Sequence, residues 1–154
     1  MSKCGFSKHP LDARSGASPD AISEAFSIEV KTRAENSELP LEKITRAHLV
    51  QANFKMSCTG CQVTFLQSYL PEKKTSNFFL ITKNDLLIDI IKVITDNILD
   101  GNVFAEWHYD EHPHLCKLGE QHLGNTASFE RLRYLRSWLN LLAKQAKKVV
   151  FTLN

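Results

Sequence analysis

The sequence predicts an α+β domain: about five helices packed around a small antiparallel sheet made of a hairpin over residues 54–66 and a strand over 77–81. Three observations predict it. Apolar residues recur at intervals of three and four in several stretches, as on one-faced helices. In FKMSCTGCQVTF, residues 54–65, the period shortens to two, as in a half-buried strand. NFFLI, residues 77–81, is a short apolar run suited to a central strand.

Residues 1–17 mix Gly, Pro, Ser and charge and read as a flexible arm, leaving 18–154 as a single globular domain. Ser18-Pro19-Asp20 has the chemistry of a helix start: a capping hydroxyl, a proline suited to the first turn and an acid at the positive dipole end. With Ile22, Ala25, Phe26 and Val30 on one face, a helix is expected over 19–34. Pro40 opens a second helix to about residue 52, carrying Leu41, Ile44 and His48 on one stripe.

A two-residue turn at Thr59-Gly60 would then set Cys58 opposite Cys61, Met56 opposite Val63 and Phe54 opposite Phe65. After strand 77–81, Thr82 and Asp85 stand at capping-box spacing and introduce a helix over about 83–99, strongly apolar and closed by Gly101. A short helix from Asn102 carries Val103, Phe104 and Trp107 towards Pro113. The last helix starts at Ser128, with Leu132, Leu135, Leu139 and Leu142 inward, and the tail VVFTL closes as a strand.

Composition excludes some classes of function. At 154 residues, 43% hydrophobic and 23% charged, the chain can bury a core without staples. No run approaches the roughly 18 apolar residues of a membrane span, and the N-terminus lacks the apolar stretch of a secretory signal. A cytoplasmic location follows as the expectation, with the cysteines free, metal-bound or reactive. A net charge of +2 does not by itself announce a nucleic-acid binder.

The densest chemistry is HYDEHPHLC, residues 108–116. Pro113 pushes His112 towards extended backbone, so His112, His114 and Cys116 would project to one side. Joined by Cys58 and Cys61 from the hairpin, they form a candidate zinc set, since zinc favours tetrahedral thiolate and imidazole ligands. The competing reading is that the cysteines are small core residues and the histidines a solvated loop.

Catalysis has less support. His108 to His112 match the H-x-x-E-H peptidase pattern formally, but Pro113 ends the helix that pattern needs. There is no Gly-rich phosphate loop and no G-x-S-x-G elbow, so the balance falls against an enzyme. Arg131, Arg133, Arg136, Lys144, Lys147 and Lys148 line the outer face of the last helix and its end, as a partner or nucleic-acid surface or as a solvated face. The expectation is therefore a small cytosolic regulatory domain with a structural zinc ion. It would act on a protein partner first and nucleic acid second, with no membrane role. The alternative is a small cysteine- or metal-dependent hydrolase using the same Cys/His cluster.

Overall fold

The computed structural model describes residues 5–33, 39–99 and 126–150. Strands β1 (Ser7–His9) and β2 (Asp12–Ala17) form an antiparallel pair. Strands β3 (Ala21–Ile22), β4 (Phe26–Thr32), β5 (Val63–Leu70), β6 (Thr75–Thr82) and β7 (Lys147–Val149) form a second sheet in that order. Helix α1 (Arg46–Thr59) links β4 to β5, α2 (Asp85–Leu99) follows β6, and α3 (Thr126–Gln145) precedes β7.

This corrects the expected fold class. Among the described residues there are three helices and two sheets, of two and five strands, not about five helices around one small antiparallel sheet. The larger sheet is mixed: β4 and β5 run parallel and the other neighbours antiparallel. Parallel neighbours need a crossover, and α1 provides it.

Among the described residues, the helix expected over 19–34 is absent. Ile22, Phe26 and Val30 fit a helical stripe, but Phe26, Ile28 and Val30 also alternate, and β-branched residues favour the strand. Ser27 and Glu29 fill the buried face between them. Ser18-Pro19-Asp20 caps nothing, because Asp20 Oδ2 accepts the β4 backbone N–H of Val30 at 2.7 Å.

The hairpin 54–66 is also replaced. Residues 54–59 complete α1, with Leu49, Ala52, Asn53 and Met56 buried at helical spacing. Gly60 stops the helix with φ 79°, and its N–H donates to the Met56 carbonyl at 2.9 Å. Thr59-Gly60 thus turns the chain as a helix end, and residues 63–70 pair with β4 and β6. At the other end the helix begins at Arg46, not at Pro40; Thr45 caps it, exchanging 3.3 Å bonds with His48.

Strand 77–81 and helix 83–99 match β6 and α2, although Asn84 caps α2 by accepting from the Leu87 N–H at 2.9 Å. The last helix is present as α3; the closing strand comes earlier than the expected VVFTL, as β7 over Lys147–Val149, and residues 151–154 lie outside the described residues. The short helix expected from Asn102 lies outside the described residues. One core joins Leu49, Ala52 and Met56 of α1 with Leu66, Phe79 and Ile81 of the sheet, Leu87 of α2 and Ala143 of α3. Asn53, fully buried, ties α1 to α2: its amide donates to the Leu49 carbonyl at 3.0 Å and its oxygen accepts the Asn84 N–H at 2.7 Å.

Candidate active site

Alternation along β4 puts Ser27, Glu29 and Lys31 on the face covered by α1, and Phe26, Ile28 and Val30 on the other. On the covered face, Ser27 bonds Thr64 of β5 at 2.8 Å, hydroxyl to hydroxyl. Two residues on, Glu29 is only 5% exposed. A carboxylate so deep requires partners. Lys31 Nζ donates to its Oε1 at 2.7 Å, and Lys55 Nζ, reaching across from α1, donates to its Oε2.

A second carboxylate stands at the sheet edge. Asp20 directly precedes β3, whose Ala21 pairs with Ile28 and Ile22 with Ser27 of β4, so it lies at the edge of the sheet beside the stretch of β4 that carries Glu29. The Asp20 backbone N–H donates to the Ile28 carbonyl at 3.1 Å, and its Oδ2 takes the Val30 N–H. Asp20 is therefore fixed by main-chain bonds while its residue remains exposed.

His48 borders the same cluster from the first turn of α1. Burial, and then the Lys31 ammonium, hold its imidazole below the ordinary value, with Glu29 pulling weakly the other way. Its Nδ1 accepts the Thr45 N–H, as a neutral ring can. The covered face thus holds Glu29 with two lysines, and the Asp20 carboxylate stands at the neighbouring sheet edge. No group of three or more His, Cys, Asp or Glu side chains converges on a metal site among the described residues. Two carboxylates still fit a hard divalent cation such as magnesium, which commonly takes one or two and completes its shell with water and substrate phosphate.

Beyond Lys31 the sheet opens into a cavity of about 790 Å³ between the end of β4, the segment leading into α1, and α3. Arg33, Lys43, Arg46 and Lys144 line it, with Glu42.

The residues singled out from sequence are distributed differently. Cys58 and Cys61 are buried free thiols, one in the last turn of α1 and the other just after Gly60. Cys61 Sγ donates to the Ser23 carbonyl at 3.9 Å, and burial pushes the Cys58 thiol up. The strand face that would have aligned these sulfurs does not exist, because Cys58 is helical. His112, His114 and Cys116 lie outside the described residues. So do the side chains of Arg131 and Arg133, although their backbone belongs to α3. Arg136, Lys144, Lys147 and Lys148 are exposed; Lys144 lines the basic cavity and Lys148 pairs with Glu42 at 2.7 Å.

Sequence reasoning passed over Asp20, Glu29, Lys31 and Lys55. A signal existed in Glu29-Val30-Lys31: two opposite charges at i, i+2 share a face only in a strand. The helical reading of 19–34 hid it.

No family model matches the chain, and no curated protein matches it. Among solved structures, the chain aligns with the crystal structure of an alkaline exonuclease, LHK-Exo, from Laribacter hongkongensis. The TM-score is 0.58 and the identity 28%, over 65% of this chain and 55% of that one. Its fold is similar to that of an exonuclease. The chain spans about half the length of LHK-Exo. A second structure of LHK-Exo, in complex with dAMP, aligns at a TM-score of 0.46 and 22% identity, over 77% and 60% of the two chains, too loosely to compare sites.

The likeness to LHK-Exo overturns two expectations. The balance against an enzyme rested on missing motifs, and the fold is similar to that of an enzyme. The picture of a regulatory, zinc-binding protein-interaction domain gives way with it: the similar fold is a nuclease's. As for membranes, no helix among the described residues is long and apolar enough to cross one.

Proposed function

We propose that the chain carries the hydrolytic centre of a nuclease, which cleaves phosphodiester bonds of nucleic acid at Asp20, Glu29 and Lys31. The single observation that carries this is the buried Glu29 carboxylate, held by Lys31 and Lys55 beside the sheet edge where Asp20 accepts the Val30 N–H, in a chain whose fold is similar to that of an alkaline exonuclease.

The chemistry follows from the residue types. Phosphodiester hydrolysis joins a water oxygen to phosphorus and breaks the bond to a sugar oxygen, which leaves with a proton. Negative charge gathers on the phosphoryl oxygens, and cations must meet it. Asp20 and Glu29 would hold a divalent cation between them, which when bound supplies a Lewis acid and a more acidic bound water. Lys31 stands beside Glu29 with its ammonium directed to the same place, suited to orient the attacking water or the phosphoryl oxygen. Lys55 is a positioning residue: it fixes the second Glu29 oxygen and so the direction of the first.

This reading keeps the hydrolase alternative from the sequence and moves its chemistry from the Cys/His cluster to β3 and β4. It also puts nucleic acid, not protein, first among partners.

The test is an end-labelled oligonucleotide incubated with the full chain and Mg²⁺. Strands should shorten, and should stop shortening on adding EDTA or in Glu29→Gln, with a melting curve confirming that the variant folds. Shortening that persists with chelator, or in folded Glu29→Gln, would overturn the proposal.

A further inference from the structure

The charges beyond Lys31 repeat. Strand alternation continues Glu29 and Lys31 to Arg33 on the same face, and the Arg33 N–H still pairs with the sheet, donating to the Tyr69 carbonyl at 2.8 Å. At about 3.3 Å per residue, the row covers about 13 Å from Glu29 to Arg33. It ends in the cavity, where Lys43 and Arg46 approach from one side and Lys144 of α3 from the other. The acid on the lining, Glu42, is already taken: Lys148 donates to one oxygen at 2.7 Å, and the Asn77 amide to the other at 3.2 Å. Arg33 Nε is buried and has no hydrogen-bond partner among the described residues. Such an orphan donor calls for a partner such as a water, an ion or a ligand.

We infer that this cavity is the track for the phosphates of the nucleic-acid strand whose cleaved bond lies at Asp20 and Glu29, an inference that rests on the nuclease reading. Arg33, Lys43 and Lys144 gathered around one space repel each other, and a polyanion relieves that repulsion. The volume, about 790 Å³, is far larger than one phosphate requires. Cations on three separate elements suit a ligand whose charge recurs along its length. Arg33 belongs to both the row and the cavity lining, so a strand held there lies within four residues of Glu29 along the chain.

The experiment measures binding without cleavage. Full-length protein in EDTA is titrated into a fluorescein-labelled single-stranded decanucleotide, and anisotropy is followed across a KCl series. Lys43→Gln/Lys144→Gln neutralises two exposed cavity residues, and Lys8→Gln/Lys92→Gln, on β1 and α2, is the control of equal charge change. Kd of the double variant should rise at least about tenfold at 0.1 M salt. Its slope of log K against log [salt] should be shallower by about 1.4, two contacts at about 0.7 each. The control should match wild type. Unchanged affinity and slope in the double variant would overturn the track, as would a mononucleotide competing as tightly as the decanucleotide. If wild type binds and, with Mg²⁺, shortens the strand while the double variant is unaltered, only the track fails. If wild type neither binds nor cleaves, the nuclease reading fails with it.

Discussion

Lys55→Met should be among the most destabilising single changes at this site. Side chains of Lys55 and Glu29 are 11% and 6% exposed, so the pair is screened from water on both sides. Removing one member of a buried pair typically costs about 3–5 kcal/mol, because the other charge keeps its desolvation and loses its partner. Glu29 retains Lys31, which is 28% exposed, so the lower end, about 3 kcal/mol, is the expected value. Methionine preserves most of the aliphatic stem, and lost packing adds little. For a chain of 154 residues, about 2–4 °C of melting temperature per kcal/mol gives a fall of about 6–12 °C. Circular dichroism melts with urea titrations at fixed pH and salt measure it. Glu29→Met/Lys55→Met should lose much less than the two single changes added together, since the double variant leaves no orphaned charge between them. A fall below about 2 °C in Lys55→Met would show that the ion pair is not buried as described, and Glu29 would lose its support as a positioned carboxylate. Lys92→Met, which breaks the exposed pair with Asp96, should barely move the melt and calibrates the comparison.

Three other outcomes follow from particular contacts. Gly60→Ala forces a Cβ into φ 79° where no neighbouring atom clashes, so the loss should be the backbone term alone, about 1–2 kcal/mol by urea titration. Asn53→Ala removes the acceptor of the Asn84 N–H and should cost about 1–3 kcal/mol, with faster amide exchange at the start of α2. Because folding depresses the His48 pKa, its contribution is fully present above the unfolded value near 6.5 and is lost as pH falls through the folded value. His48→Gln should therefore flatten the decline of melting temperature between neutral and mildly acidic pH; an unchanged decline would remove His48 as its cause.

Much of the framework was legible in the sequence. The runs at β6, α2 and α3 have one dominant period each, and their apolar faces meet in the core as that period implies. Two segments deceived for a definite reason. Phe26, Ile28 and Val30 alternate while Ile22, Phe26 and Val30 follow a helical step, so both templates fit. Phe54, Met56 and Cys58 alternate too, yet belong to α1. That helix is scarcely amphipathic, because its buried face includes Asn53 and Lys55. Those two polar residues are buried only because Asn84 and Glu29 await them, and such partners are tertiary. The site was hidden for the same reason. Its strongest residue, Glu29, draws its meaning from Lys55, 26 residues away. Dense HYDEHPHLC attracted attention instead, and density is not geometry.

Asp20→Asn offers the sharpest trial of the carboxylate centre. The asparagine oxygen can still accept the Val30 N–H, and the residue is exposed, so fold and strand affinity should survive. What disappears is one negative charge at the sheet edge beside Glu29. With Mg²⁺ saturating for wild type, the rate of strand shortening should fall by about 100-fold or more, the usual scale for losing one electrostatic contributor to catalysis. A folded Asp20→Asn protein that degrades DNA within a few-fold of the wild-type rate would contradict the assignment of cleavage to β3 and β4.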